Sequence, residues 1–284
     1  MNGEHEPVMV REVLSFLGDR RSVIDCTLGA GGHAEALLDA GVGSVLGIDR
    51  DPEAIAIASR RLERFGGRFA SRQGRFSDLP LEPLVDGVLL DLGLSSMQID
   101  RPERGFSYRA SGPLDMRMGP DATSAMDLVN GLPESELADV IFGFGEERRS
   151  RRIAAAIVRA RSRAPIATTD ELARIVAGAV GSRPGGAHPA RRTFQALRIR
   201  ANEELRELDA ALPRATDALV PGGRVVVIAY HSLEDRIAKR FLAGESRLRV
   251  LTKKPLVPGA DETQRNPRSR SAKLRAAERL AEAA

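Results

Sequence analysis

The chain predicts an α/β fold built on an open, mostly parallel sheet, interrupted by an inserted helical domain. Three observations carry this prediction. First, Ser22-Val23-Ile24-Asp25 reads as a buried strand, Gly29-Ala30-Gly31-Gly32 as a tight turn and His33 to Leu38 as a helix, the order by which α/β proteins hold nucleotides. Second, the next apolar strand, Ser44 to Ile48, ends in Asp49. That acid falls about twenty residues beyond the first glycine, the spacing of a carboxylate that accepts ribose hydroxyls. Third, strand and helix alternate over the first hundred residues and then stop alternating.

The elements follow in order. Asp51-Pro52 starts a helix, with an N-cap acid and a proline at the first helical position, and Ala54, Ile55, Ile57, Ala58 and Leu62 continue it. A third short strand is expected around Arg68 to Arg72. Asp86-Gly87-Val88-Leu89-Leu90-Asp91-Leu92-Gly93 is an apolar run of the kind that forms a central parallel strand buried on both faces. From about Gly112 to Ala201 the periodic segments are helical: Glu134 to Phe142, Arg149 to Arg161, Thr168 to Val180 and Pro189 onward, with Thr168 and Glu171 spaced as a capping box. The parent fold resumes with a helix over Glu203 to Leu219, a Pro221-Gly222-Gly223 turn, a strand over Arg224 to Ala229 and a helix over Leu233 to Leu242. A last strand is expected near Leu248 to Thr252. The tail from Pro255 is expected to be irregular as far as Ala272. The domain boundaries are placed at 1–109 with 202–284, and at 110–201.

Composition narrows the class. A chain of 284 residues with 42% hydrophobic content can bury a real core, and no apolar run approaches the length of a membrane span. The opening Met1-Asn2-Gly3-Glu4-His5-Glu6-Pro7 is polar, unlike a secretory leader, and Cys26 is the single cysteine, which excludes an internal disulfide and a multi-cysteine zinc site. A cytoplasmic protein without a structural zinc is expected. Net charge is +4, which permits nucleic-acid binding without requiring it. Aromatic content of 4% argues against an RNA surface built mainly on stacking.

The glycine turn has the first two glycines of the dinucleotide fingerprint and lacks the third, which favours an adenosine-type ligand without a pyrophosphate, such as S-adenosylmethionine. Four further clusters bear on chemistry. Asp91-Leu92-Gly93-Leu94-Ser95-Ser96-Met97-Gln98 lies past the carboxyl end of the predicted fourth strand, where open sheets bind ligands. Arg104-Gly105-Phe106-Ser107-Tyr108 and Gly112-Pro113-Leu114-Asp115-Met116-Arg117-Met118 mix polar, flexible and aromatic residues as a substrate lid does, or as an interdomain linker does. Tyr230-His231-Ser232-Leu233-Glu234-Asp235 places Ser232 and Asp235 as an N-cap pair; a His-Ser nucleophile is disfavoured because adjacent residues rarely reach that geometry. Arginines cluster at Arg148, Arg149, Arg151 and Arg152, at Arg191, Arg192, Arg198 and Arg200, and in the tail around Arg268 and Arg270. Such runs are solvated faces or phosphate contacts. Cys26, beside the glycine turn, is expected to be buried and structural.

Together these blocks, with His5-Glu6-Pro7-Val8, Gly47-Ile48-Asp49-Arg50-Asp51-Pro52, Thr193-Phe194-Gln195-Ala196-Leu197-Arg198 and Asn266-Pro267-Arg268-Ser269, resemble the bacterial 16S ribosomal RNA cytosine-N4 methyltransferase family, RsmH or MraW. They run in family order from residue 5 to about 279. The resemblance implies a Rossmann-like class I S-adenosylmethionine-dependent methyltransferase domain with an inserted all-helical domain. It implies S-adenosylmethionine as methyl donor and a decoding-centre cytidine of 16S rRNA, within the small ribosomal subunit, as acceptor. The family's cofactor contacts fall on Gly31, Gly32, His33, Asp49, Phe76, Asp91 and Gln98. The Asp/Asn-Pro-Pro-Tyr motif common in amino-methyltransferases is replaced here by Asp91-Leu92-Gly93-Leu94, a departure the family shares, so catalytic roles do not transfer from the wider superfamily.

Direct transfer of the sulfonium methyl to the exocyclic amine is the expected mechanism, with Asp91, Ser95, His231 and Ser232 as candidate acceptors. Arg191, Arg192, Arg198, Arg268 and Arg270 are the candidate RNA contacts. No membrane association is expected, and a monomer or homodimer is. Three rivals remain: a methyltransferase acting on a protein or small molecule, a NAD-dependent oxidoreductase, which the missing third glycine disfavours, and a non-catalytic RNA-binding protein.

Overall fold

A computed structural model describes residues 7–94, 100–119, 122–181 and 188–281. The chain divides into two compact units: Met1–Gly93 with Leu205–Ala284, and Leu94–Glu204. These divisions fall near 93 and 204, where the sequence reading set 109 and 201. The segment after Gly93 belongs to the second unit because Phe106, Leu114 and Met116 are buried in its core.

The first unit is a seven-stranded sheet. Its strands are β1 (Ser22–Asp25), β2 (Ser44–Asp49), β3 (Phe69–Gln73), β4 (Val85–Asp91), β5 (Leu219–Ala229), β6 (Leu248–Val250) and β7 (Lys273–Arg279), in the order β3-β2-β1-β4-β5-β7-β6. The first five pair in parallel, while β7 runs antiparallel between β5 and β6. Side chains on successive residues of a strand face opposite sides of the sheet, and two separate cores follow from that period. Ile24, Val88, Leu90, Val225 and Val227 join one core; Val23, Leu89, Val226 and Ile228 join the other. The helices of this unit are α1 (Val10–Leu17), α2 (Gly32–Asp39), α3 (Pro52–Leu62), α9 (Glu204–Ala218), α10 (Ser232–Gly244) and α11 (Ala260–Arg265). The expected start of α3 is present: the Asp51 carboxylate accepts the Glu53 N–H at 3.0 Å, with Pro52 at the first helical position.

The tail departs from its expected irregularity. It forms α11, and its last segment is β7, a strand absent from the sequence reading. Lys273-Leu274-Arg275-Ala276-Ala277-Glu278-Arg279 consists of good helix formers, yet six of its residues register against Arg224 to Ala229 of β5. Tertiary pairing overrides local preference. The Pro221-Gly222-Gly223 turn survives as an irregularity inside β5, where register against β4 jumps between Val85/Leu219 and Gly87/Arg224.

The second unit is helical, with α4 (Ala125–Gly131), α5 (Glu134–Gly145), α6 (Ser150–Arg161), α7 (Thr169–Val180) and α8 (Arg191–Asn202). Ser124 and Asp127 cap α4 reciprocally. The capping box expected at Thr168 is not formed: the Thr168 side chain bonds Asp170, and the Glu171 carboxylate accepts the Ala167 N–H at 3.2 Å. The supposed lid is part of this core. Leu114 and Met116 are each 1% exposed, and Tyr108 stacks on His188 at 4.7 Å and meets Phe194 edge-on. Apolar side chains in a loop are drawn inward whenever helices offer a surface to bury them. Among the described residues, no helix is long and apolar enough to cross a membrane.

Candidate active site

The parallel strands of the first unit end on one edge, and three of them end in acids: Asp25 on β1, Asp49 on β2 and Asp91 on β4. The turn between β1 and α2 passes beside them. Gly31 adopts φ +82° as the residue before α2, and a Cβ there would press on Leu62 at 3.1 Å and Ala58 at 3.2 Å. The glycine is needed for the left-handed turn and for close packing on α3. Gly32 has no room either, since a Cβ would sit 3.1 Å from Pro7.

Asp49 is tied to that turn. One carboxylate oxygen accepts the Gly29 N–H at 2.8 Å and the other accepts the Asp51 N–H at 2.9 Å. Burial raises its pKa above the ordinary value, and these backbone N–H groups oppose the rise. The Arg50 N–H acts on the same carboxylate, which is thereby oriented and keeps acceptor capacity toward a ligand hydroxyl. Phe76 begins the short helical turn after β3 and packs against the core on that side. Its loop is tethered by Glu207 of α9, which binds Arg75 and Ser77 at 2.6 Å each.

Asp91 is held from three sides. Its N–H donates to Thr27 Oγ1 at 2.7 Å, its Oδ1 accepts the Tyr230 hydroxyl at 2.9 Å, and its Oδ2 lies 3.3 Å from His33 Nε2. Gly93 lets the chain leave β4 with φ +108°, and its missing Cβ would come 3.0 Å from the Tyr230 ring. Thr27 and Tyr230 escaped the sequence reading, because nothing local marks a threonine in a turn or an aromatic after a strand as a ligand to a distant acid. Glu262 escaped it too. From α11 it accepts the Met9 N–H at 2.7 Å, and its charge acts on His33 and Tyr230, so the tail reaches this edge.

Other candidates have different duties. His231, rather than Ser232, caps α10: its Nδ1 accepts the Glu234 N–H at 3.3 Å and its Nε2 lies 3.1 Å from Glu234 Oε1, while Glu234 accepts the N–H groups of Tyr230 and His231. Asp235 pairs with Arg275 and Lys273 of β7 instead of capping. Cys26 is buried at 2% exposure directly after β1. Ser95 and Gln98 lie outside the described residues.

The arginines also divide. Arg191 and Arg192 are exposed at the start of α8, as is Arg270 in the tail, and Arg268 is half-buried. Arg198 is committed elsewhere: its guanidinium grips Glu204 in two bonds of 2.8 and 2.7 Å and is 14% exposed. Its assignment as an RNA contact gives way to a structural one.

A sheet of this order with an antiparallel β7, a glycine turn and an acid closing β2 defines a class I S-adenosylmethionine-dependent methyltransferase. Residues 2–280 match the MraW methylase family profile, and the chain belongs to that family. It is 52% identical to "Ribosomal RNA small subunit methyltransferase H" of Methylobacterium sp. (strain 4-46), over 97% of this chain and 90% of that one. The protein of the same name from Nitrobacter winogradskyi is 51% identical, over 99% of this chain and 92% of that one. Among solved structures, an rRNA methylase from Streptococcus thermophilus aligns with a TM-score of 0.46 at 12% identity, covering 96% of this chain and 94% of that one, too distant to bear on the site.

Proposed function

We propose that this chain methylates the exocyclic N4 amine of a decoding-centre cytidine in 16S rRNA, acting on the small ribosomal subunit in the cytoplasm. The observation that carries the reading is the edge itself. Asp49, already oriented by two backbone N–H groups, stands beside a glycine turn, and Asp91 stands on the neighbouring β4 with its carboxylate pinned. The substrate class comes from the relatives, which carry the name of a small-subunit rRNA methyltransferase.

The residues fit the donor. The glycine turn gives backbone access, Asp49 offers its oriented carboxylate to the ribose, and Phe76 offers an apolar face for adenine. Gly31, Gly32, His33, Asp91 and Gln98 complete the proposed donor contacts. When bound, S-adenosylmethionine supplies a methyl group already activated on a sulfonium. The protein's task is therefore positioning and exclusion of water. The target base leaves its stack to reach the pocket. Asp91 accepts a hydrogen bond from the amine, favouring pyramidal nitrogen over conjugation with the ring. The bound donor would supply the methyl group to the amine nitrogen, and Asp91 would take the proton that nitrogen gives up and pass it to solvent. Arg191, Arg192, Arg268 and Arg270 contact phosphates.

Methyl transfer from labelled donor to intact small subunits, naked 16S rRNA and protein fractions tests this reading, with mass spectrometry locating the product. Label in a single N4-methylcytidine supports it. Label in protein alone would favour the rival in which the arginines are only surface.

A further inference from the structure

Between β6 and α11 the chain leaves the edge of the sheet and returns to it. From Leu248, opposite Arg279, to Leu256, opposite Leu274, it advances eight positions while β7 advances five. The three surplus residues, Lys253-Lys254-Pro255, are pushed out as a bulge, a device by which strands re-aim side chains. Both ends of the bulge are fixed. Buried Thr252 accepts the Ala276 N–H on its Oγ1 at 3.0 Å, and Leu256 exchanges two backbone hydrogen bonds of 2.9 Å with Leu274. Lys253 and Lys254 are exposed. Beside them, Leu256 is 37% and Val257 62% exposed, so a pinned loop presents two cations and two apolar side chains to solvent.

Strand register locates this loop relative to the site. Asp91 of β4 pairs with Ile228, Ile228 with Leu274 and Leu274 with Leu256, one row across the sheet. Three inter-strand steps of ~4.8 Å set Leu256 about 14 Å from Asp91. A nucleic-acid strand rises ~3.4 Å per nucleotide when stacked and more when extended. A base at Asp91 and a base at Leu256 are therefore separated by about four nucleotides at most.

We propose that Lys253, Lys254, Leu256 and Val257 form a lip that grips the single-stranded RNA flanking the target base. The lysines pair with backbone phosphates, and the two apolar side chains pack on the face of an unpaired base. The inference rests on RNA being the acceptor. Charge favours that occupant: from Thr252 to Ser271 the chain carries Lys253, Lys254, Arg265, Arg268 and Arg270 against Asp261 and Glu262, and Glu262 already accepts the Met9 N–H. Apolar side chains of this kind hold bases out of a stack, and unpaired segments are what proteins read in RNA. Lysines also guard strand edges against pairing. Here the bulge carries them off the pairing edge, and an exposed apolar pair beside them is the opposite of a guard.

Salt titration of small-subunit binding, paired with steady-state methylation of the same particles, tests this. The variants are Lys253→Ala with Lys254→Ala, Lys253→Arg with Lys254→Arg, and Val257→Ser. The double alanine variant is expected to bind about tenfold more weakly at low salt and to lose about 1.4 from the salt slope, at ~0.7 per single-strand phosphate. Its KM for subunits rises about tenfold while kcat stays within about twofold. Its affinity for S-adenosylhomocysteine, within about threefold of wild type in calorimetry, verifies the fold. The double arginine variant keeps the wild-type slope. Val257→Ser raises KM by about three- to tenfold with the slope unchanged. Unchanged slope and KM in the double alanine variant, with wild type methylating subunits, would overturn the lip and leave the substrate reading standing. So would a double alanine variant that self-associates in sedimentation yet binds subunits normally, the mark of edge protection alone. Wild type that neither binds nor methylates subunits would overturn the substrate reading, and the lip with it.

Discussion

At the carboxyl edge of the sheet, Asp25, Asp49 and Asp91 stand within mutual electrostatic reach and largely out of water, whereas the helical unit turns most of its clustered arginines outward around a hydrophobic core. The edge tolerates three acids because the N–H groups of Thr27, Gly29 and Asp51 and the Tyr230 hydroxyl donate to them, while His33 Nε2 lies 3.3 Å from Asp91 Oδ2. The arginines at positions 148, 151, 152, 191 and 192 are all exposed. Groups of the first kind act through fixed geometry, so losing one should be nearly all-or-none. Groups of the second kind act through a screened field, so each should count for little and the sum should depend on salt.

The largest effect expected is at Asp49. Asp49→Ala removes two charge-assisted acceptors, each worth ~1.5–3 kcal/mol, and should weaken S-adenosylhomocysteine binding by at least about a hundredfold in calorimetry. Wild-type affinity would remove the ribose assignment. Next is the apolar core of the helical unit, where Leu137 is fully buried. Leu137→Ala should cost ~2–5 kcal/mol, seen as a lowered thermal transition. That core consists of residues 106–201 alone, so cofactor affinity should change by less than about threefold. A collapse of both together would break the contrast between the regions.

A smaller effect, opposite in sign, is expected at Asp25. Its pKa is raised from 3.8 to about 6, so the folded state binds more protons than the unfolded between those values. Stability therefore declines as pH rises from about 4 to about 6, and the penalty persists above, at roughly 2–3 kcal/mol. Asp25→Asn should flatten that part of the stability–pH curve in chemical denaturation and be more stable than wild type at pH 7. A site held against its own stability is common where orientation serves chemistry.

The smallest effects belong to the arginines. Arg191→Ala with Arg192→Ala should weaken small-subunit binding by about tenfold at low salt and reduce the salt slope by about two, leaving cofactor affinity alone. Arg198→Ala, by contrast, should lower thermal stability by ~1 kcal/mol, the discounted value of a partly exposed pair, and leave the salt slope as it was. If Arg198→Ala behaves like the other two, the Glu204 pair is not its main partner in solution.

Much of this contrast was legible in the chain. The glycine turn, Asp49, the start of α3 at Asp51 and the buried run of β4 are local signals, set by neighbours a few residues apart. The failures share one cause. Ser232 is the better N-cap by preference, but Glu234 can reach the N–H groups of Tyr230 and His231, and that places the cap one residue earlier. Arg198 reads like its neighbours until Glu204 is set beside it. The segment around Phe106 and Leu114 reads as a lid or a linker until the helices surround its apolar residues.

By itself the sequence carried the alternation of strands and helices, the strand-free middle and the glycine turn followed by an acid at the end of β2, because periodicity, capping and close-range spacing are encoded within single segments; the family was carried by the order of its motifs along the chain. Only the tertiary structure decided that β7 is a strand, that Glu262 returns from the tail to the edge, and that Asp25, His33, Thr27 and Tyr230 converge around Asp91. Those relations join residues up to 253 positions apart. They are settled by which surfaces bury together and which hydrogen bonds close, neither of which any one segment carries.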